Sequence, residues 1–167
     1  MFKVLFMMSL VAVISSCTKE IPADPACRTQ KQSVSLPPAN AVCLIKLNGK
    51  LVSIKNKNAE FWQLPYAKQQ MHTSAQCTAH RSAWKTTGLN VSVGKLLFVD
   101  KLTTHYFACL ASSQFSNQQH DLPVPNWLSH RIEKIDLVDP YLKTEDYWGK
   151  QIDIIKLRQA FVQLESE

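Results

Sequence analysis

An Asn-Gly dipeptide between two alternating segments constrains the fold of this 167-residue chain more than any other feature. Residues 41–47 read AVCLIKL and residues 50–54 read KLVSI, with Asn48-Gly49 between them. Asn-Gly favours the type I′ turn, whose twist matches that of two antiparallel strands. The sequence therefore predicts a β-hairpin made of residues 41–47 and 50–54.

Two helices and three further strands are predicted after this hairpin. A stretch without Gly or Pro begins at a capping Ser74, runs to Thr87 and stops at Gly88, as expected for a helix. Residues 150–164 carry apolar residues at helical spacing and predict an amphipathic helix for the sheet to bury. Its apolar positions are Ile154, Leu157, Phe161 and Leu164. The further strands are predicted over residues 90–99, 104–111 and 131–138.

The composition is that of one globular domain, with 46% hydrophobic and 19% charged residues. Lys and Arg number 19 against 13 acidic residues, which gives a formal charge of +6 and a pI near 9.1. Such a surface favours anions, for example phosphates or acidic lipids. Nucleic acid is not expected as a partner, because no nucleic-acid-binding motif occurs and the N-terminus predicts export.

The N-terminal segment is predicted to be an export signal. Lys3 precedes an apolar stretch from Val4 to Ile14 that is too short to cross the roughly 30 Å hydrocarbon core of a bilayer comfortably. The end of the segment, Ile14-Ser15-Ser16-Cys17, resembles the lipobox of bacterial lipoproteins. This resemblance implies removal of residues 1–16 and lipidation of Cys17. An ordinary cleaved signal, with Cys17 in a disulfide, is the alternative.

The resemblance to lipoproteins also implies a location. The residue after the cysteine is Thr18 and not Asp. By this resemblance, it implies that the protein is anchored in the outer membrane of a Gram-negative cell, with the domain facing the periplasm. Residues 17–38 are rich in Pro, Ser and Thr, lack apolar periodicity and are predicted to be a lipid-anchored tether. The folded domain is then predicted over residues 39–167.

The remaining cysteines agree with export to an oxidising compartment. Four of them follow Cys17, and an even number favours two disulfides: Cys27, Cys43, Cys77 and Cys109. Their spacing does not choose among the three pairings. No C-x-x-C pair occurs, which argues against a zinc site.

The order of these elements, with particular residues, resembles a Nudix hydrolase domain. The run Phe61-Trp62-Gln63-Leu64-Pro65 precedes the predicted helix, which ends in Thr87-Gly88-Leu89-Asn90-Val91. The resemblance covers about residues 39–165. It implies a single α/β (α+β) domain, in which a mixed sheet is sandwiched between helices and the substrate lies over a loop–helix–loop box.

The box of this family reads G-x5-E-x7-R-E-U-x-E-E-x-G-U, where U is a bulky aliphatic residue. Three of its residues are retained here, namely Arg81, Gly88 and Leu89. Ala67 stands at the first glycine position, and Tyr66 precedes it where a further glycine is usual. Glycine permits backbone angles and close approaches that these two residues resist, so the loop is expected to be reshaped.

The acidic residues of the box are missing. Thr73 stands at the first glutamate position, Ser82 follows the arginine, and Lys85 and Thr86 replace the paired glutamates. The resemblance implies that carboxylates at these positions hold Mg²⁺ or Mn²⁺ for pyrophosphate hydrolysis. A lysine there repels a cation, by roughly 4 kcal/mol for unit charges about 4 Å apart at an effective dielectric of 20. We therefore expect no metal cofactor on this helix.

Three functional hypotheses follow. The favoured one is a catalytically degenerate Nudix-like lipoprotein, a binding or structural module with a basic cleft for a phosphate-containing small molecule. Its candidate anion contacts are Lys68, Arg81 and Lys85. The alternatives are that Arg81 is a structural residue and that the two lysines form a solvated face.

The second hypothesis is an active hydrolase of nucleoside diphosphate-linked or other pyrophosphate substrates, with Mg²⁺ or Mn²⁺ at a non-standard site. Its acids would come from the following set: Glu60, Asp100, Asp121 and Glu133. The third is an envelope protein that binds another envelope protein through exposed aromatic residues.

Overall fold

The computed structural model describes residues 21–30, 34–111 and 121–164. The predicted signal at residues 1–16 and the predicted lipidation at Cys17 lie outside these ranges. Within them, no helix has the length and apolar character needed to cross a membrane.

The predicted strands and helices are present, with small shifts in their bounds. The strands are β1 (Ala41–Leu47), β2 (Lys50–Asn56), β3 (Tyr66–Ala67), β4 (Ser92–Val99), β5 (His105–Leu110), β6 (Asp121–Leu122) and β7 (Ile132–Val138). The helices are α1 (Ala75–Thr87), α2 (Glu145–Trp148) and α3 (Ile154–Val162). The short elements β3, β6 and α2 were not predicted from the sequence.

These strands form one mixed sheet in the order β4-β5-β1-β2-β7-β6, with β3 paired to β1. β1 and β5 are parallel, whereas the other pairs are antiparallel. Helix α1 packs on one face of the sheet and α3 on the other. The structure therefore confirms the predicted single α+β domain with a mixed sheet between helices.

Strand β1 separates the two hydrophobic cores because its side chains alternate between the faces of the sheet. Cys43 and Ile45 belong to the core under α1, and Val42 and Leu44 to the core under α3. All four side chains are buried. A strand buried on both faces explains why this segment is apolar at nearly every position.

Helix α1 has the ends that its sequence predicts. The Ser74 hydroxyl accepts a hydrogen bond from the Cys77 amide at 3.3 Å, which satisfies one of the free N–H groups of the first turn. Gly88 ends the helix in the left-handed conformation, with φ of 75°. A Cβ at Gly88 would also lie 2.7 Å from the Pro125 side chain, so both the backbone angle and the space require glycine.

The β1–β2 hairpin opens away from its turn. Its strands pair only beside the turn, where Lys46 and Leu47 face Leu51 and Lys50. Further along, the segment from Gln63 to Ala67 fills the space between them. Its backbone exchanges two hydrogen bonds with Ile54 of β2 (2.8 and 2.9 Å) and accepts one from Cys43 of β1 (3.0 Å). This segment, Gln63 to Ala67, is here called the wedge, and the loop before α1 follows it directly.

Two disulfides join distant parts of the chain. Cys43 bonds to Cys109 across the parallel strands β1 and β5, and Cys27 bonds to Cys77 in α1. The prediction of two disulfides is confirmed, and the structure supplies the pairing. Both are consistent with an exported protein.

Residues 21–30, here called the strap, are attached to the domain by a disulfide and by hydrogen bonds. Besides the Cys27–Cys77 disulfide, the Arg28 carbonyl and the Gln30 amide each form a 2.9 Å hydrogen bond with Val93 of β4. Leu36 continues these contacts, since its amide donates to Gln76 Oε1 at 3.0 Å. The sequence interpretation of residues 17–38 as a tether therefore needs correction from the strap onward. Covalent and backbone contacts order this segment, and neither leaves an apolar pattern in the sequence.

Candidate functional site

A cleft of about 470 Å³ lies where the wedge, the end of α1 and the start of β7 meet. The wedge and the end of β2 form one wall, the last turn of α1 contributes Thr86, and the chain entering β7 closes the other side. Its lining residues are Ile54, Asn56, Lys57, Asn58, Gln63, Leu64, Tyr66, Thr86, His130, Arg131 and Ile132. The wedge occupies the opening between β1 and β2, and its residues Gln63, Leu64 and Tyr66 form part of the cleft wall beside Ile54 of β2.

Hydrogen bonds hold the walls of the cleft together. The Asn56 side-chain amide donates to Gln63 Oε1 at 2.6 Å, which joins β2 to the wedge. The Lys57 amide donates to the Arg131 carbonyl at 2.9 Å, and the Arg131 guanidinium donates to the Lys85 carbonyl at the end of α1. Arg131 thus connects the β2 turn, the start of β7 and helix α1.

The lining of the cleft is basic and amide-rich. Lys57 and Arg131 are basic residues of this lining, and His130 lies beside them. Asn56, Asn58 and Gln63 add neutral donors and acceptors. No residue described as lining the cleft is acidic. Chemically, this arrangement can hold an anion that accepts several hydrogen bonds.

The three candidate anion contacts lie on or beside α1. Arg81 donates from its guanidinium to the Lys68 carbonyl at 3.0 Å, and so connects α1 to the loop before it. Lys68 is exposed. The Lys85 ammonium forms an ion pair with Asp24 of the strap. The structure therefore gives Arg81 and Lys85 partners within the protein, and Lys85 meets the cleft only through its backbone carbonyl.

Comparisons with known proteins agree on the fold. No family model matches the sequence. A MutT-like protein of Streptomyces ambofaciens is 24% identical over 147 residues, which covers 74% of this chain and 94% of that protein. An ADP-ribose pyrophosphatase structure from Streptococcus suis has a TM-score of 0.56 at 13% identity, covering 78% of this chain and 97% of that one. A NUDIX hydrolase structure from Nitrosomonas europaea has a TM-score of 0.53 at 12% identity, covering 80% and 79%. The domain has a Nudix fold.

Gly88 and Leu89, the two residues of the Nudix box that are retained at its end, have structural roles here. Gly88 ends α1, and Leu89 is buried in the core under that helix. Beside them, Trp84 and Trp127 contact each other with ring centroids 5.2 Å apart. These contacts fix the end of the box against the loop before β7, and so position the cleft.

Ser82 occupies the box position that directly follows the arginine, where the family carries a glutamate. The side chain is fully buried, and its Oγ lies 2.9 Å from the Pro65 carbonyl and 2.7 Å from the Ala79 carbonyl. The hydroxyl therefore joins α1 to the wedge inside the protein. Among the positions of the paired glutamates, only Thr86 reaches the cleft, and its hydroxyl donates to the Ser82 carbonyl at 2.7 Å.

The donors around the cleft do not fit a Mg²⁺ or Mn²⁺ ion. Hard divalent cations bind carboxylate oxygens first, and the lining offers amides, a hydroxyl and cationic groups. Over the described ranges, no three His, Cys, Asp or Glu side chains approach one another as metal ligands do.

The acids considered for a displaced metal site are dispersed. Asp100 accepts hydrogen bonds from two amides and the Tyr106 hydroxyl in the β4–β5 turn. Asp121 forms an ion pair with Lys134 at 3.2 Å. Glu60 and Glu133 are exposed on separate segments. The structure does not bring these four residues together around the cleft.

One carboxyl on the α3 face of the sheet has a shifted pKa. Burial raises the pKa of Asp136 above its ordinary value, and a hydrogen bond with Asp121 raises it further. On the same face, burial raises the pKa of the Tyr147 hydroxyl, which lies 3.0 Å from Ser53 Oγ. These groups lie on the face of the sheet opposite α1, so they belong to the packing of α2 and α3 and not to the cleft.

The cleft residues Lys57, His130 and Arg131 were not predicted from the sequence as site residues. The Nudix box spans only residues 67–89, and these three lie outside it. Lys57 and Arg131 become neighbours through the pairing of β2 with β7. The local sequence around either residue carries no signal of this contact.

Proposed function

We propose that this chain is an exported, lipid-anchored Nudix-fold protein that binds a phosphate-containing small molecule in its cleft and does not hydrolyse it. The observation that carries the proposal is the lining of the cleft, which presents Lys57, Arg131 and three amides without an acidic residue. An anionic phosphate gains charge-assisted hydrogen bonds from such a lining, whereas a divalent cation is repelled by it.

Two further observations support a role in binding over hydrolysis. The box serine Ser82 is buried in hydrogen bonds between α1 and the wedge, so it has no access to the cleft. Lys85 stands at a glutamate position and pairs with Asp24. The name of the Streptococcus suis neighbour, an ADP-ribose pyrophosphatase, makes diphosphates the first ligand class to test.

Isothermal titration with inorganic pyrophosphate and with ADP-ribose tests the binding, in EDTA and then with Mg²⁺. The protein for this experiment is the chain from residue 17 with Cys17→Ser. We expect saturable binding in EDTA that Mg²⁺ does not strengthen, and no release of phosphate-containing products. Metal-dependent turnover that a cleft substitution abolishes would overturn the proposal.

Matched charge variants locate the binding. Lys57→Ala removes a cation from the cleft, and we expect a loss of about 1–3 kcal/mol in the binding free energy, the usual range for a group that hydrogen-bonds to an anion. Lys95→Ala removes a cation from an exposed position of β4, three strands away from β2 in the sheet, and should leave binding unchanged. Equal losses in both variants would show attraction by net charge and no built site.

The lipid anchor has its own test. Expressed with its signal in a Gram-negative host, the protein should enter the outer-membrane fraction, and mass spectrometry should find acyl groups on Cys17. Cys17→Ser should release the protein into the periplasm. An unmodified Cys17 in the mature protein would contradict the anchor and leave the binding proposal standing.

A further inference from the structure

The strap contacts α1 next to the cleft, at Lys85. Asp24 of the strap forms an ion pair with the Lys85 side chain, while the Lys85 carbonyl accepts a hydrogen bond from Arg131 of the cleft. Thr86, the next residue, lines the cleft itself. The chain therefore leaves the domain toward Cys17 from a point beside the cleft.

Three kinds of contact keep the strap at this point. The Cys27–Cys77 disulfide is covalent, the Asp24–Lys85 ion pair is electrostatic, and the backbone on either side of Thr29 pairs with Val93. An exposed ion pair alone contributes little. The disulfide makes the position of the strap independent of that pair.

The strap shortens the chain between Cys17 and the domain. Asp24 lies seven positions after Cys17, and this stretch of chain spans at most about 25 Å. If the strap were free, the first attached residue would be Leu36, 19 residues from Cys17, with a reach of about 65 Å. The strap thus reduces the reach of an anchor at Cys17 about threefold.

We infer that the cleft faces the membrane and takes the phosphate of an anionic phospholipid headgroup. This inference rests on the proposed function, both for phosphate binding and for the anchor at Cys17. A short connecting chain that ends beside the cleft keeps it near a surface where phosphate groups are concentrated. The cations Lys57 and Arg131 complement the negative charge of such a surface, whose attraction extends over about 8 Å at physiological salt.

Nanodiscs provide the test, with the protein attached through residue 17. Four of the five cysteines are in disulfides, so the Cys17 thiol is available for coupling to a maleimide lipid. The ¹⁵N-labelled chain from Cys17 onward is attached to discs of phosphatidylcholine, with or without phosphatidylglycerol. A small share of the lipids carries a gadolinium chelate on the headgroup, which broadens the amides that approach the bilayer.

In discs with phosphatidylglycerol, we expect broadening centred on residues 54–66 and 130–132. Lys57→Glu should abolish it, whereas Lys95→Glu at an exposed position of β4 should preserve it. In discs of phosphatidylcholine alone, the broadening at the cleft should be lost. Replacing both Cys27 and Cys77 by Ser removes the covalent attachment of the strap and leaves only its ion pair and its backbone pairing with Val93, so the broadening at the cleft should decrease.

A titration of the same protein with inorganic pyrophosphate, without discs, separates the two proposals. Pyrophosphate shifts at the cleft together with no broadening there in phosphatidylglycerol discs would overturn the lipid inference and retain the proposed function. Broadening that survives Lys57→Glu would mean adsorption through another surface, and would also overturn it. A cleft that responds to neither pyrophosphate nor phosphatidylglycerol would contradict both proposals.

Discussion

Replacement of Ser82 by Glu places the glutamate of the Nudix box at this position and tests whether the position can face the cleft. The Ser82 side chain is fully buried, and the polar atoms nearest its hydroxyl are the carbonyl oxygens of Pro65 and Ala79. A carboxylate there would face acceptors without a donor. An uncompensated buried charge costs about 3–5 kcal/mol, a large part of the usual stability of a domain. We therefore expect Ser82→Glu to lower the free energy of unfolding by that amount and to create no Mn²⁺ site.

Urea unfolding followed by far-UV circular dichroism measures this cost, and Mn²⁺ titration of the ¹⁵N-labelled variant measures the metal. Thr86→Glu is the matched control, because it adds the same carboxylate one turn later in α1, where the side chain lines the open cleft. It should cost less than 1 kcal/mol, as is usual for partly exposed positions. Ser82→Ala should cost about 1 kcal/mol for the lost hydrogen bond, partly offset by the higher helix propensity of alanine.

The reasoning would be refuted if Ser82→Glu unfolded at the same urea concentration as Thr86→Glu and bound Mn²⁺. The buried serine position would then be able to turn toward the cleft, and a single added carboxylate would be enough to bind the metal. A destabilised variant that still binds Mn²⁺ would refute the second half of the prediction alone.

Three other predictions concern parts of the fold outside the cleft. The pKa of Asp136 is raised in the folded state, so the contribution of this residue to stability is lost as the pH rises above the ordinary Asp range. Asp136→Asn should therefore gain stability relative to wild type between pH 4 and 7. An equal difference in Tm between the two proteins at both ends of this range would contradict the shift. Gly88→Ala should lower the free energy of unfolding by at least about 1 kcal/mol, because the backbone at Gly88 is left-handed and the Pro125 side chain occupies the space of the new Cβ. Unchanged urea unfolding would argue against both causes. Under limiting dithiothreitol, the Cys27–Cys77 disulfide should be reduced before the Cys43–Cys109 disulfide, because Cys27 is exposed whereas Cys43 and Cys109 are both buried. Alkylation and mass spectrometry measure the order of reduction. Simultaneous reduction would be inconsistent with this difference in burial.

Local signals in the sequence were sufficient for the main elements. Asn48-Gly49 predicted the turn between β1 and β2, and Ser74 and Gly88 predicted the ends of α1. These residues act through their own backbone or the first turn of a helix, so their effect needs no distant partner. The acid-poor box was equally visible, because it depends only on residue types at fixed spacing.

Elements that depend on distant partners were not predicted. β3 is two residues long and exists because β1 and β2 diverge, which no pattern within Tyr66–Ala67 indicates. The disulfide partners are 50 and 66 residues apart, so spacing could not pair them. The strap was mistaken for a tether because its order comes from cross-links. The cleft combines Lys57 with Arg131 for the same reason, since only the pairing of β2 with β7 brings them together.

The wedge between β1 and β2 has a consequence for how the specificity of this fold can change. Residues Gln63 to Ala67 are hydrogen-bonded to strands on both sides, and α1 begins at a capped Ser74. Between these two fixed ends, residues 68–72 are exposed. Insertions in such a surface loop cost little conformational entropy, because closure entropy grows slowly with length. New loops of different length and chemistry can therefore be grafted at the edge of the cleft while the sheet and helix α1 keep their positions, which makes this loop a natural site for engineering ligand selectivity.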